Sequence, residues 1–202
     1  MDLKHIEAET LGHYQQSAEA FWEGTKDHNV KQNYDALLKY LPKDKALDIL
    51  DFGCGPGRDV KYFHDLGHRV IGLDGCEQFC EMARKHSNCE IWHQSFFDLN
   101  LPAQAFDGIF ANASLFHVPS EMLPQVLLQL HAALREGGVL FSSNPRGSGE
   151  GWSGKRYGHY IELEQSREYW QQAGFEIVEF YYRPEGLPLH QQPWLAMVSR
   201  KV

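Results

Sequence analysis

Apolar residues change their spacing several times along the chain, and each change marks an element. Val30, Tyr34, Leu37, Leu38 and Leu41 recur at helical spacing until Pro42, and an earlier polar stretch running to Phe21 and Trp22 also reads as helix. The polar EGTKDHNVKQN between them is expected to be a loop. From residue 46 the period shifts: ALDILDF is a short apolar run, a glycine turn follows, DVKYFHDLG reads as helix and HRVIGLD as a second run. That succession is a β-α-β unit. The alternation continues with a helix near 77–86, strands CEIWH and FDGIFAN, a helix from about 120–135 and strand GGVLFSS. A helix near 162–173 and two β-rich stretches, FEIVEFYYRP and PWLAMVSRK, complete it.

Strands separated by helices predict an α/β fold, a doubly wound parallel sheet between two helical layers. At 202 residues a single domain is expected over 1–202, because one hydrophobic core still grows at this length. It divides into N-terminal helices (1–42), an alternating core (46–143) and a C-terminal part (144–202). The last begins with PRGSGEGWSGKRYGHY, read as a Gly-rich loop. Loops this long inside a compact domain usually serve function or are disordered. Trp152, Tyr157, His159 and Tyr160 either form a lid over a pocket or pack onto the domain surface.

Composition narrows the partners. A hydrophobic share of 43% and a charged share of 23% suit a globular domain. A net charge of -8 argues against nucleic acid, which demands clustered Lys and Arg. The chain has no long apolar run to span a membrane, and MDLKHIEAETLGHYQQ is too polar for a signal peptide, so a cytoplasmic location is expected. Cys54, Cys76, Cys80 and Cys89 are read as free thiols, and a zinc site from Cys76, Cys80 and His86 is set aside for want of two tight ligand pairs, leaving no metal expected.

In LDFGCGPGRD, Gly53, Gly55 and Gly57 follow a strand and precede a helix, the context in which glycines let backbone approach a ligand. Asp74 ends the second strand, followed by Gly75, where a carboxylate can accept two hydrogen bonds from ribose hydroxyls. A dinucleotide fold wants its third glycine at position 58, which is Arg58. S-Adenosylmethionine has no pyrophosphate and carries a sulfonium, an ammonium and a carboxylate, so carboxylates and carbonyls near the turn suit it, and Asp51 could provide such a negative group. An NAD- or nucleotide-binding oxidoreductase and a non-catalytic cofactor-binding regulatory module are the competing readings.

From Asp51 to Gly57, at Asp74 and through FDGIFANASLFHVP, the sequence resembles class I, Rossmann-like S-adenosylmethionine-dependent methyltransferases, of the small-molecule kind seen in ubiquinone and menaquinone biosynthesis. The resemblance implies a seven-stranded, mostly parallel sheet with an antiparallel last strand, a helical cover from 1–42 and a product S-adenosylhomocysteine. Gly53, Gly55 and Gly57 would then cradle the methionine end, which Asn112 and Ala113 would face, and Asp74 would hold the ribose. Ser95 stands where many members have an Asp for the adenine amino group, and Ser95 with Phe96 would meet the adenine instead.

Among 11 histidines, His117 is singled out by its place just past the fourth strand, either for substrate binding and proton removal or as a structural hydrogen-bonding residue. His28 and Tyr14 are further catalytic candidates, with Thr25 and Asn33 in the same polar set. Trp22, Asn144, Arg146, Trp152 and Tyr157 are candidates to bind the acceptor. The acceptor's identity and the oligomeric state are not legible.

Overall fold

The computed structural model describes residues 2–202. In chain order the helices are α1 (Leu3–Thr25), α2 (Lys31–Lys39), α3 (Arg58–Asp65), α4 (Glu77–Ser87), α5 (Leu123–Ala133) and α6 (Leu163–Gln172). The strands are β1 (Asp48–Phe52), β2 (Arg69–Asp74), β3 (Glu90–His93), β4 (Phe106–Asn112), β5 (Leu134–Pro145), β6 (Gly149–Ser153), β7 (Arg156–Tyr160), β8 (Phe175–Arg183) and β9 (Trp194–Lys201).

Seven strands form one sheet in the order β3-β2-β1-β4-β5-β9-β8. All neighbours as far as β5 run parallel, and β9, the last strand of the chain, is antiparallel to both β5 and β8. Central strands are apolar on both faces because both faces are covered. Leu50, Phe52, Ile109 and Ala111 pack toward α5 and α6 with Leu127 and Trp170. Ile49 and Phe110, one residue out of phase, pack toward α2 and α3 with Leu37, Val60 and Phe63. The expected three-layer α/β sandwich is therefore observed, with the antiparallel last strand in place. Chain direction across the sheet reverses between β1 and β4, and such a reversal opens a crevice at the carboxyl ends of the strands.

Two segments differ from the sequence reading. The stretch expected as a loop folds into the β6–β7 hairpin, paired from Gly149↔Tyr160 to Ser153↔Arg156. Its two-residue turn has Gly154 at φ +62°, the kind of backbone a tight hairpin needs. Glycine content masked the alternation that buries Tyr157 and His159. The inter-helix loop is also shorter than expected, because α1 runs on to Thr25. Arg58 Nη1 donates to the Thr25 carbonyl at 2.9 Å, satisfying one of the carbonyls a helix end leaves open.

Gly57 closes the glycine turn with φ +91°, and a Cβ there would sit 2.7 Å from the Cα of Ala83 in α4. Gly67 has a similar φ of +88°, with open space where a methyl group would stand. Gly57→Ala is expected to destabilise the fold by roughly 2 kcal/mol or more, and Gly67→Ala by clearly less, in urea or thermal unfolding. Equal losses would show that helix packing at Gly57 is not the constraint.

Candidate functional site

The crevice at the β1/β4 reversal is a cleft of about 640 Å³, within the range of small-molecule sites. Its floor is the glycine turn. The Gly53 and Cys54 amides both donate to the Leu73 carbonyl, at 2.7 and 3.0 Å, which ties the turn to β2. A Cβ on Gly53 would lie 2.3 Å from Ser114 Cβ, so only glycine allows this approach. Ser114 Oγ beside it is buried without a hydrogen-bond partner.

Asp74 ends β2 at the edge of the cleft. Its Oδ2 accepts from the Gly55 amide at 2.9 Å and its Oδ1 from the Cys76 amide at 2.8 Å. Burial pushes the carboxyl up to about pKa 6, and the two amides hold it from rising further. Leu11 of α1 covers Gly75 from above. Phe96 lines the same end of the cleft and stacks on Phe52 with centroids 4.3 Å apart.

At the other end of the turn Arg58 grips Asp59 through Nε and Nη2, at 2.6 and 3.0 Å. Asp59 also accepts from Tyr34 Oη at 2.5 Å. Asn112 Oδ1 accepts from Asn33 Nδ2 at 3.0 Å, and Tyr181 Oη donates to Asn33 Oδ1 at 3.0 Å. The chain of contacts fixes the end of β4 against α2 and β8.

The third wall is built from α1, the turn after β4 and the hairpin. His117 Nδ1 lies 2.7 Å from the Tyr157 carbonyl and Nε2 lies 2.8 Å from Tyr14 Oη. A carbonyl only accepts, so Nδ1 carries the proton and Nε2 accepts from the phenol. Desolvation depresses the imidazole to about pKa 4, with the Arg156 charge adding to the fall and the Tyr157 carbonyl opposing it, and Phe116 packs on the ring with centroids 3.9 Å apart. Burial raises the Tyr14 pKa, and Arg156 opposes that rise. The Tyr157 amide donates to Thr10 Oγ1 at 3.1 Å, so one hairpin residue holds both α1 and His117.

Of the residues singled out in the sequence, Tyr14, Trp22, Thr25, Gly53, Gly55, Asp74, Gly75, Phe96, Asn112, Ala113 and His117 line this cleft, as does His28 at its exposed mouth. The others lie elsewhere, for identifiable reasons. Asp51 sits at 1% exposure in mid-sheet; burial beside Asp59 pushes its carboxyl well up, so it is not the negative group expected. Gly57 serves the packing of α3 on α4. Ser95 Oγ is engaged by the Glu7 carboxylate and by the Phe97 amide. Asn144 Oδ1 accepts from the Phe116 amide at 3.2 Å. Arg146 lies over the Tyr182 ring and reaches Glu162 at 3.6 Å. Trp152 is 45% exposed on the outer side, against His5. Tyr157 is buried, its ring against Trp152, and reaches the site through its backbone.

Arg156 and Arg183, both lining the cleft, were not singled out in the sequence. Gly-rich surroundings hid the first, and only the antiparallel return of β9 brings the end of β8 to this edge. Among the described residues the four cysteines are free and no cluster is placed to hold a metal. No described helix is long and apolar enough to cross a membrane. His86, once a zinc candidate, packs edge-on against Trp22 at 4.7 Å.

Residues 49–138 match a family model described as a methyltransferase domain. The chain is 32% identical over 118 residues to a malonyl-[acyl-carrier protein] O-methyltransferase of Enterobacter lignolyticus, covering 57% of this chain and 46% of that protein. It is 34% identical over 114 residues to a trans-aconitate 2-methyltransferase of Azoarcus sp., covering 54% and 44%. The chain thus spans about half the length of the curated relatives it matches. In structure it is similar to a Burkholderia thailandensis 1,6-didemethyltoxoflavin-N1-methyltransferase solved with bound 1,6-didemethyltoxoflavin and S-adenosylhomocysteine, with a TM-score of 0.76, 22% identity and coverage of 95% and 87%.

His117 is expected to titrate near pH 4 in an imidazole-resolved NMR titration, with the neutral ring protonated on Nδ1. Its folded pKa lies below the ordinary 6.5, so the unfolded chain takes this proton first and acidification from about 6.5 to 4 works against the fold. Titration near 6.5 would overturn the assigned contacts.

Proposed function

We propose that the chain, which has the fold expected of class I, Rossmann-like methyltransferases and matches a methyltransferase domain over residues 49–138, transfers a methyl group from S-adenosylmethionine to a small-molecule acceptor. The observation that carries the reading is the Asp74 carboxylate, fixed by two amides at the rim of a glycine-floored cleft. The cleft fits that cofactor chemically. A Cβ would fill the cradle at Gly53, Ser114 Oγ is a buried polar atom in want of a partner, and Asp74 lines the cleft with acceptor oxygens of the kind ribose hydroxyls need.

Gly53, Gly55, Asn112 and Ala113 would hold the methionine end, Asp74 and Gly75 the ribose, and Phe96 the adenine face. When bound, the cofactor supplies a methyl carbon already activated by its sulfonium, so holding the acceptor in line contributes much of the catalysis. Tyr14 provides a fixed hydroxyl for that purpose, held by His117, whose tautomer the Tyr157 carbonyl locks. Phe21, Trp22, Phe79 and Phe116 keep water from the reacting centre. The buried Asp59 in the first turn of α3 disfavours a pyrophosphate there, and Arg58 fills the place of the dinucleotide glycine, which supports this reading over an NAD enzyme.

The acceptor is read as a small molecule on the enclosed size of the cleft and the company of relatives named for trans-aconitate and for toxoflavin precursors. A net charge of -8 supports the exclusion of nucleic acid, and four unbridged thiols support a cytoplasmic location.

S-Adenosylhomocysteine affinity, measured by calorimetry, is expected to fall as pH drops through about 6, where the Asp74 carboxyl takes up its proton. Asp74→Asn should bind it about tenfold or more weakly and lose that step, since a hydrogen bond to a charged group contributes about 1.5–3 kcal/mol. Wild-type affinity in the variant would sink the ribose contact. Tyr14→Phe should lower kcat by about tenfold while cofactor affinity stays within about threefold; equal losses in both would make Tyr14 a purely structural residue.

A further inference from the structure

Among the described residues the cleft is lined by three arginines and three carboxylates, but only one of the arginines is paired with a carboxylate. Arg58 is committed to Asp59 and to the end of α1. Glu7 is engaged by Ser95, and Asp74 by the two amides. Arg156 and Arg183 both line the cleft half-buried, and among the described residues neither forms an ion pair with a carboxylate. Arg156, at the start of β7, stands against Tyr14. Arg183, at the end of β8, has only a long 3.4 Å contact from Nη1 to Ser143 Oγ, and burial together with Arg58 depresses its pKa. A half-buried guanidinium with no anionic partner is under-satisfied, and its planar fork matches a carboxylate.

We propose that the methyl acceptor carries a carboxylate, received by Arg156 beside the Tyr14–His117 pair, with Arg183 supplying a second cationic contact across the cleft. The inference rests on the methyltransferase reading above and adds the acceptor's charge. The chemistry of the wall agrees with it. His117, held neutral with its Nε2 occupied by the phenol, is a weak base, and a carboxylate at pH 7 has no proton to lose.

Protein loaded with S-adenosylhomocysteine is titrated calorimetrically with benzoate, succinate and citrate, each against the corresponding amide, and with phenyl phosphate. At least one acid is expected to bind about tenfold or more tightly than its amide. Arg156→Gln should abolish that preference, Arg156→Lys should restore part of it, and S-adenosylhomocysteine affinity should remain within about threefold in both. Arg183→Gln should weaken the acid and leave S-adenosylhomocysteine unaffected. Acids binding no better than amides, a preference for phenyl phosphate, or an acid preference surviving in Arg156→Gln each overturn the proposal. Loss of S-adenosylhomocysteine affinity in Arg183→Gln assigns that arginine to the cofactor and overturns its part. Failure of wild-type protein to bind S-adenosylhomocysteine at all sinks the methyltransferase reading itself.

Discussion

The cleft depends on one carboxylate. Asp74 accepts the Gly55 amide with one oxygen and the Cys76 amide with the other, so the turn after β1 and the start of α4 are held to a single side chain. Gly53 and Cys54 add their bonds to the Leu73 carbonyl just before it. The result is a backbone floor whose shape is set before any ligand arrives, the preorganisation on which positioning catalysis relies. Its cost is visible in the raised pKa of the buried carboxyl.

Above that floor α1 is attached by a small apolar cluster, Leu11, Ala18 and Phe21 with Cys76 and Phe79 of the facing segment, and by several polar contacts. Thr10 meets the hairpin backbone, Tyr14 meets His117, Gln15 Oε1 accepts from Cys76 Sγ, and Arg58 holds the Thr25 carbonyl. Ile6, Thr10 and Ala18 are the buried residues of this 23-residue helix, whereas the central strands β1 and β4 are buried at nearly every position. A cover joined by directional bonds over a sparse apolar seam belongs to the less stable end of a structure, as covers of binding sites do.

Much of this was legible in the chain. Period and strand-helix alternation identify the sheet and both helical layers, because strands buried on both faces must be apolar throughout. Gly53, Gly55, Asp74, Asn112 and His117 were legible because turn geometry and strand ends are local properties. Residues whose roles depend on distant pairing were not. Arg183 reaches the cleft only through β9, and Arg156 sits in a hairpin whose glycines read as a loop. Asp51 misled for the opposite reason: its motif position is local, but its burial in mid-sheet is a tertiary fact.

The contacts that close the cleft are also among the most distant in sequence, Tyr14 to His117 spanning 103 positions and Thr10 to Tyr157 spanning 147. During synthesis α1 therefore emerges long before the hairpin that receives it, and such long-range closures lose chain entropy before they gain contacts. Contact order predicts that the sheet condenses from its neighbouring strand-helix units before this first helix docks, which would make completion of the ligand cavity a late event of folding.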